Sequence, residues 1–225
     1  MVEPFTGMKH VILKSICLSA VYLLCVFPVF SEKLPKEPKD SNEIILFDGK
    51  TLKNWQKTDF AGKGEIRVNK KGILVMEMGA ELSGLHWKGQ ALPQKNYVIT
   101  MQARRTMGSD FFCGLTFPFH ESHATLVLGG WGGSLIGISS IDDFDASENE
   151  TADAYIFEEK KWYDIRLKVV ESKILVWIDQ EKVIDCDLDG KKLSMRPGEI
   201  EMSIPLGITT YATTGEFRKL KLRKL

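Results

Sequence analysis

The chain has 225 residues, 44% of them apolar and 27% charged, with 30 basic and 30 acidic residues and no formal net charge. This is the balance of a globular chain long enough for one large β-domain. It supplies no basic stripe for nucleic acid or an anionic membrane surface. Setting aside residues 1–31, which hold Lys9, Lys14 and Glu3, leaves 28 basic and 29 acidic residues, so the exclusion stands.

The first predicted element is a secretory signal. Lys9, His10 and Lys14 precede the apolar run Ile16 to Phe27, and Val29 and Ser31 are small residues ahead of the polar Glu32-Lys33. This pattern predicts cleavage after Ser31 and export to the periplasm or beyond, with no membrane contact other than this segment. The run is too short for a membrane span, which needs about 20 residues. Residues 32–42 are charged and hold two prolines, and they read as a tether. Residues 43–225 then form one domain.

Within that domain no long helical period occurs. Short β-rich runs recur instead, at Ile73–Met78, Tyr97–Arg104, Phe111–Phe119, Thr125–Leu128 and Leu135–Ile141. They continue at Ala154–Phe157, Tyr163–Val170, Ile174–Ile178, Val183–Asp185, Leu206–Tyr211 and Phe217–Leu222. Tyr163, Ile165, Leu167 and Val169 alternate with Asp164, Arg166 and Lys168, and Ile174, Val176 and Ile178 alternate with Leu175 and Trp177. Such period-two runs are half-buried strands, and Glu171-Ser172-Lys173 between them is short enough for an antiparallel hairpin. About a dozen strands without helices predict an all-β fold of two packed antiparallel sheets. Beyond the signal two cysteines remain, Cys113 and Cys186. They can pair in an oxidising compartment or serve as small buried hydrophobes.

Three stretches, in order, resemble the 3-keto-disaccharide hydrolase domain family. They are Phe47-Asp48-Gly49-Lys50 with Leu52 and Trp55; Trp162 to Arg166 followed by Val176-Trp177-Ile178-Asp179; and Leu206 to Ile208 with the closing Phe217 to Leu220. The resemblance covers about residues 44–225. It implies a concanavalin A-like jelly-roll sandwich, export, and hydrolysis of glycosides or disaccharides whose sugar carries a 3-keto group. The alternative is a lectin-like module that binds carbohydrate without catalysis. One departure stands out. Where the family has an Asn-Ser-Gly strand ending in Arg, residues 108–117 carry neither the Asn-Ser pair nor the Arg. The family's catalytic residues therefore do not transfer at that strand.

Candidate site residues come from the chain itself. Asp142, Asp143, Asp145, Glu148 and Glu150 crowd one stretch, where mutual repulsion can raise one pKa enough to make an acid. Glycosidic acid–base chemistry needs two carboxyl groups at a set separation, so Asp142, Asp145 and Glu148 are catalytic candidates. The same stretch also fits a solvated loop or a calcium loop. Asp110, beside Phe111 and Phe112, is a further catalytic candidate, or else a turn aspartate. Trp131, set among Gly129, Gly130, Gly132 and Gly133, reads as a sugar-stacking platform or a core tryptophan at a bulge. Arg104, Asn149 and Trp177 are candidate sugar contacts, and Asn149-Glu150-Thr151 also spells a glycosylation sequon. Carbohydrate is the expected partner. His120 and His123 read as exposed residues rather than metal ligands, and no motif calls for a cofactor.

Overall fold

The computed structural model describes residues 42–225. The signal segment and nearly all of the tether lie outside the described residues. Fifteen strands and one 3-10 turn are described. The first five strands are β1 (Glu43–Ile45), β2 (Trp55–Lys57), β3 (Ile66–Val68), β4 (Leu74–Met76) and β5 (Leu82–Trp87). Next come β6 (Tyr97–Gly108), β7 (Cys113–Phe119), β8 (Ser122–Gly130), β9 (Leu135–Ser139) and β10 (Asp153–Ala154). The last are β11 (Tyr163–Val169), β12 (Lys173–Ile178), β13 (Glu181–Asp187), β14 (Gly207–Tyr211) and β15 (Thr213–Lys224), with the 3-10 turn at Glu199–Ser203.

The strands form two antiparallel sheets. One has the order β13-β12-β11-β6-β15-β4-β3 with β1 paired to β15, and the other β10-β9-β8-β7-β14-β5-β2. The hairpin expected at 163–178 forms in register, with Ile165 opposite Ile178 and Val169 opposite Ile174. Alternation fixes what is inside. Ile165, Leu167, Ile174 and Val176 from one sheet and Leu115, Phe117, Leu126 and Leu128 from the other join a single buried cluster. Phe112, Phe217, Tyr97 and Tyr163 are among the largest side chains fully buried in it. Burying each such side chain contributes about 1.5–3 kcal/mol against leaving it exposed.

The opening motif is structural. Asp48 Oδ1 accepts the backbone N–H groups of Lys50 (2.7 Å) and Thr51 (2.8 Å), closing a turn that Gly49 enters at φ 74°. Past that turn, Trp55 Nε1 donates to Leu46 O at 2.7 Å and its ring meets Trp87 edge-on at 5.2 Å. Cys113 and Cys186 are free and buried, on β7 and β13 of different sheets.

Candidate active site

The outward face of the seven-stranded sheet carries a cavity of about 470 Å³, within the range of small-ligand pockets. Thr125 and Val127 of β8 line it because Ala124, Leu126 and Leu128 between them point into the core. Leu82 of β5, Tyr211 of β14 and Ser139 at the end of β9 line it too. Its walls are loops. Asp110 and Phe111 come from the approach to β7, Trp131 from the β8–β9 turn, Asp145 from the segment after β9, Arg196 and Pro197 from the approach to the 3-10 turn, and Glu199 and Ile200 from its start.

Asp110 is anchored by its backbone. Its N–H donates to Thr213 Oγ1 (3.0 Å), and the Thr213 hydroxyl donates to Asp110 O (3.1 Å). Asp110 Oδ1 accepts the Phe111 N–H at 2.7 Å. Oδ2 has no partner among the described residues, which leaves one carboxylate oxygen for a ligand. The neighbouring Phe111 ring packs on Tyr211 at 5.8 Å, giving the wall an apolar flank.

Trp131 is 47% exposed and sits at φ 47°, between Gly129, Gly132 and Gly133, all at positive φ. It is a loop residue and not a core one. Arg105 pins the turn, donating from Nη1 to Gly133 O and from Nη2 to Phe157 O, each at 3.2 Å. Gly133 sits at φ 106°, a conformation L side chains rarely adopt, so this position requires glycine.

Asp145 is held on both oxygens. Oδ1 accepts the Ala146 N–H at 2.7 Å and a short hydrogen bond from the Ser139 hydroxyl. Oδ2 forms an ion pair with Arg196 Nη1 at 2.7 Å. The Arg196 guanidinium in turn lies 6.0 Å from the centroid of Trp131. Sequence reasoning missed Arg196. It stands in Met195-Arg196-Pro197-Gly198, a turn-like stretch with no alternation to show where it would fold.

The remaining candidates lie elsewhere. Asp142 Oδ1 accepts the Lys192 N–H at 2.8 Å, Asp143 pairs with Lys192 at 3.0 Å, and Glu150 pairs with Lys191. The expectation of an acid made by mutual repulsion is therefore corrected. The segment at 191–196 gives Asp143, Asp145 and Glu150 each a cation, and Lys191 holds the Glu150 carboxyl below its ordinary range. Glu148 is exposed and does not line the cavity. Among the described residues no three His, Cys, Asp or Glu side chains converge as metal ligands.

Asn149 organises its own loop. Its Nδ2 donates to Ile138 O (2.8 Å), Phe144 O (3.1 Å) and Asp145 O (2.8 Å), so the amide holds backbone instead of sugar. Arg104 belongs to the other sheet, where it pairs with Glu216 at 2.6 Å and lies 4.5 Å over Trp162. Trp177 also belongs to that sheet, buried beneath Arg166, whose guanidinium lies 4.5 Å from its ring centroid. Asp110, Asp145 and Trp131 are the sequence candidates that share one cavity.

The family model of the 3-keto-alpha-glucoside-1,2-lyase-like domain matches residues 42–223. The chain belongs to this family. No curated protein matches the sequence. Among solved structures, a provisionally assigned glycosyl hydrolase from Parabacteroides distasonis superposes with a TM-score of 0.54 at 13% identity, covering 86% of this chain and 99% of that one. The carbohydrate-binding module CBM66 from Bacillus subtilis gives 0.50 at 11%, covering 76% and 96%. A family 7 alginate lyase, A1-II′, gives 0.50 at 7%, covering 80% and 97%. At these identities the likeness is one of fold. The lyase-like domain is a jelly-roll sandwich of the kind shared by glycan-cleaving and glycan-binding proteins.

Proposed function

We propose that the domain cleaves the glycosidic bond of a 3-keto glycoside or disaccharide in the Asp110–Trp131 cavity, with Asp110 as the base. The observation that carries this reading is the unequal state of the two carboxylates. Asp110 keeps Oδ2 unbonded, whereas both oxygens of Asp145 are engaged. Hydrolysis by paired carboxyl groups needs an acid on one side of the bond and a base or nucleophile on the other, both free to react. Elimination needs one base. A keto group at C3 acidifies the C2–H, because the charge left behind spreads onto the ketone oxygen. Asp110 Oδ2 takes that proton, the electron pair closes C1=C2, and the C1–O bond breaks. The departing alkoxide recovers a proton from the Asp110 carboxyl or from water, leaving an alcohol and a conjugated enone. Water adding across C1=C2 completes a net hydrolysis.

Trp131 offers its exposed face to the sugar ring, as amphipathic aromatic side chains do. The test is turnover of 3-keto methyl α-glucoside, followed by methanol release and enone absorbance. Asp110→Asn should lower kcat by at least about 100-fold, the usual share of a general base. Unchanged turnover in Asp110→Asn would overturn the assignment. Sugar binding with no turnover by the wild type would favour the second reading, a binding module, to which the engaged state of Asp145 also points. We further propose export with removal of residues 1–31. The basic start and short apolar run support it, and N-terminal sequencing of the protein recovered outside the cytoplasm tests it.

A further inference from the structure

The charge on the cavity is lopsided. Glu81, Asp110, Asp145 and Glu199 line it, and among the described residues Arg196 is the one basic residue on its wall. That cation is already paired with Asp145, at 2.7 Å. The contact is through Nη1, and the Arg196 side chain is 58% exposed while that of Asp145 is 16% exposed. The guanidinium N–H groups therefore have acceptors still to gain, while its net charge is cancelled locally. An ordinary anion-binding arginine is the opposite case, with its charge uncompensated until ligand arrives.

We propose that the Asp145–Arg196 pair is the specificity device of this cavity, admitting uncharged sugar rings and turning away rings that carry a carboxylate. The inference rests on the sugar-site reading above. Arg196 donates hydrogen bonds to ring hydroxyls beside Trp131, and Asp145 cancels its attraction for anions. Glu81, Asp110 and Glu199 remain as unopposed negative charge around the same wall. A uronate brought there meets like charge without a free counter-ion, which suppresses wrong partners more than it strengthens right ones. Asp145 is thus a positioning residue, and it acts through Arg196.

The experiment measures binding before turnover, by stopped-flow tryptophan fluorescence, of 3-keto methyl α-glucoside and its glucuronoside counterpart. The wild type should prefer the uncharged sugar by at least about tenfold. Asp145→Asn keeps an oxygen for the Ser139 and Ala146 donors but frees the Arg196 charge. It should shrink that preference to within about threefold, by gaining affinity for the glucuronoside. Arg196→Leu should weaken binding of the uncharged sugar and leave the glucuronoside excluded. A merely structural role for Asp145 would weaken both sugars together, so a ratio unchanged in Asp145→Asn, with an unchanged melting temperature, overturns the proposal. If Asp145→Asn is poorly folded, Arg196→Leu alone decides, since admission of the glucuronoside by that variant overturns the inference. Wild type that binds neither sugar sinks the sugar-site reading itself, and this inference with it.

Discussion

At Asp110 the backbone is clamped from Thr213 while one carboxylate oxygen has no partner among the described residues. At Asp145 every oxygen is spoken for, but the Arg196 pair is solvent-accessible and is worth only about 0–1 kcal/mol. Asp145→Asn should therefore leave the melting temperature nearly unchanged while altering ligand preference. Trp131→Ala removes the exposed indole without touching the core, so it should weaken sugar affinity by about tenfold, the equivalent of a 1.4 kcal/mol stacking loss. Calorimetric titration checks this, and affinity equal to the wild type would remove Trp131 from the site. Asp110, Asp145 and Trp131 were legible as residue types in a local context. Arg196 was not, because nothing near it in the chain marks the fold that brings it to Asp145.

The β8–β9 turn shows how an element makes a site. Three glycines at positive φ bend the chain so that Trp131 stands out at φ 47°, and Arg105 ties the turn down at Gly133 O. Gly133→Ala would place a Cβ against Arg105 at a φ of 106°, which L-residues rarely adopt. The expected cost is about 1–3 kcal/mol of stability, together with weaker sugar binding as Trp131 is displaced. Chemical denaturation and titration measure the two effects, and an unstrained, fully binding variant would contradict them. Long alternating strands such as β11 and β12 were readable from sequence, whereas the three-residue β1, β2 and β3 are too short for a period to register. Alternation also says inward or outward without saying which sheet. That is why Arg104 and Trp177, both outward, belong to the sheet opposite the cavity.

Across the described residues one core joins both sheets, and Phe217 is fully buried in it. Phe217→Ala should cost about 3–5 kcal/mol, seen as a lower denaturation midpoint with no change in slope. Cys113 and Cys186 are free and on different sheets, and burial, with the nearby Glu150, pushes the Cys186 thiol up to about 11. Reductant should leave the melting temperature of the domain where it is. Stability should also fall in mild acid. Burial, with Lys88 nearby, lowers the pKa of His86, and burial lowers that of His123, both from 6.5. Below that value the unfolded chain binds more protons than the folded one, so stability is lost as pH drops through about 6.5 toward the folded values. Melting temperatures at about pH 7.5 and 5.5 should show this fall, and replacing both histidines by glutamine should reduce it. Asp110 acting as a base at a carbon acid is read directly by proton exchange. Incubated in deuterated water with 3-keto methyl α-glucoside, the wild type should place deuterium at C2 of recovered substrate, or form the enone, and Asp110→Asn should do neither. Cleavage that proceeds in Asp110→Asn at the wild-type rate, or cleavage that retains the C2 hydrogen throughout, would contradict it.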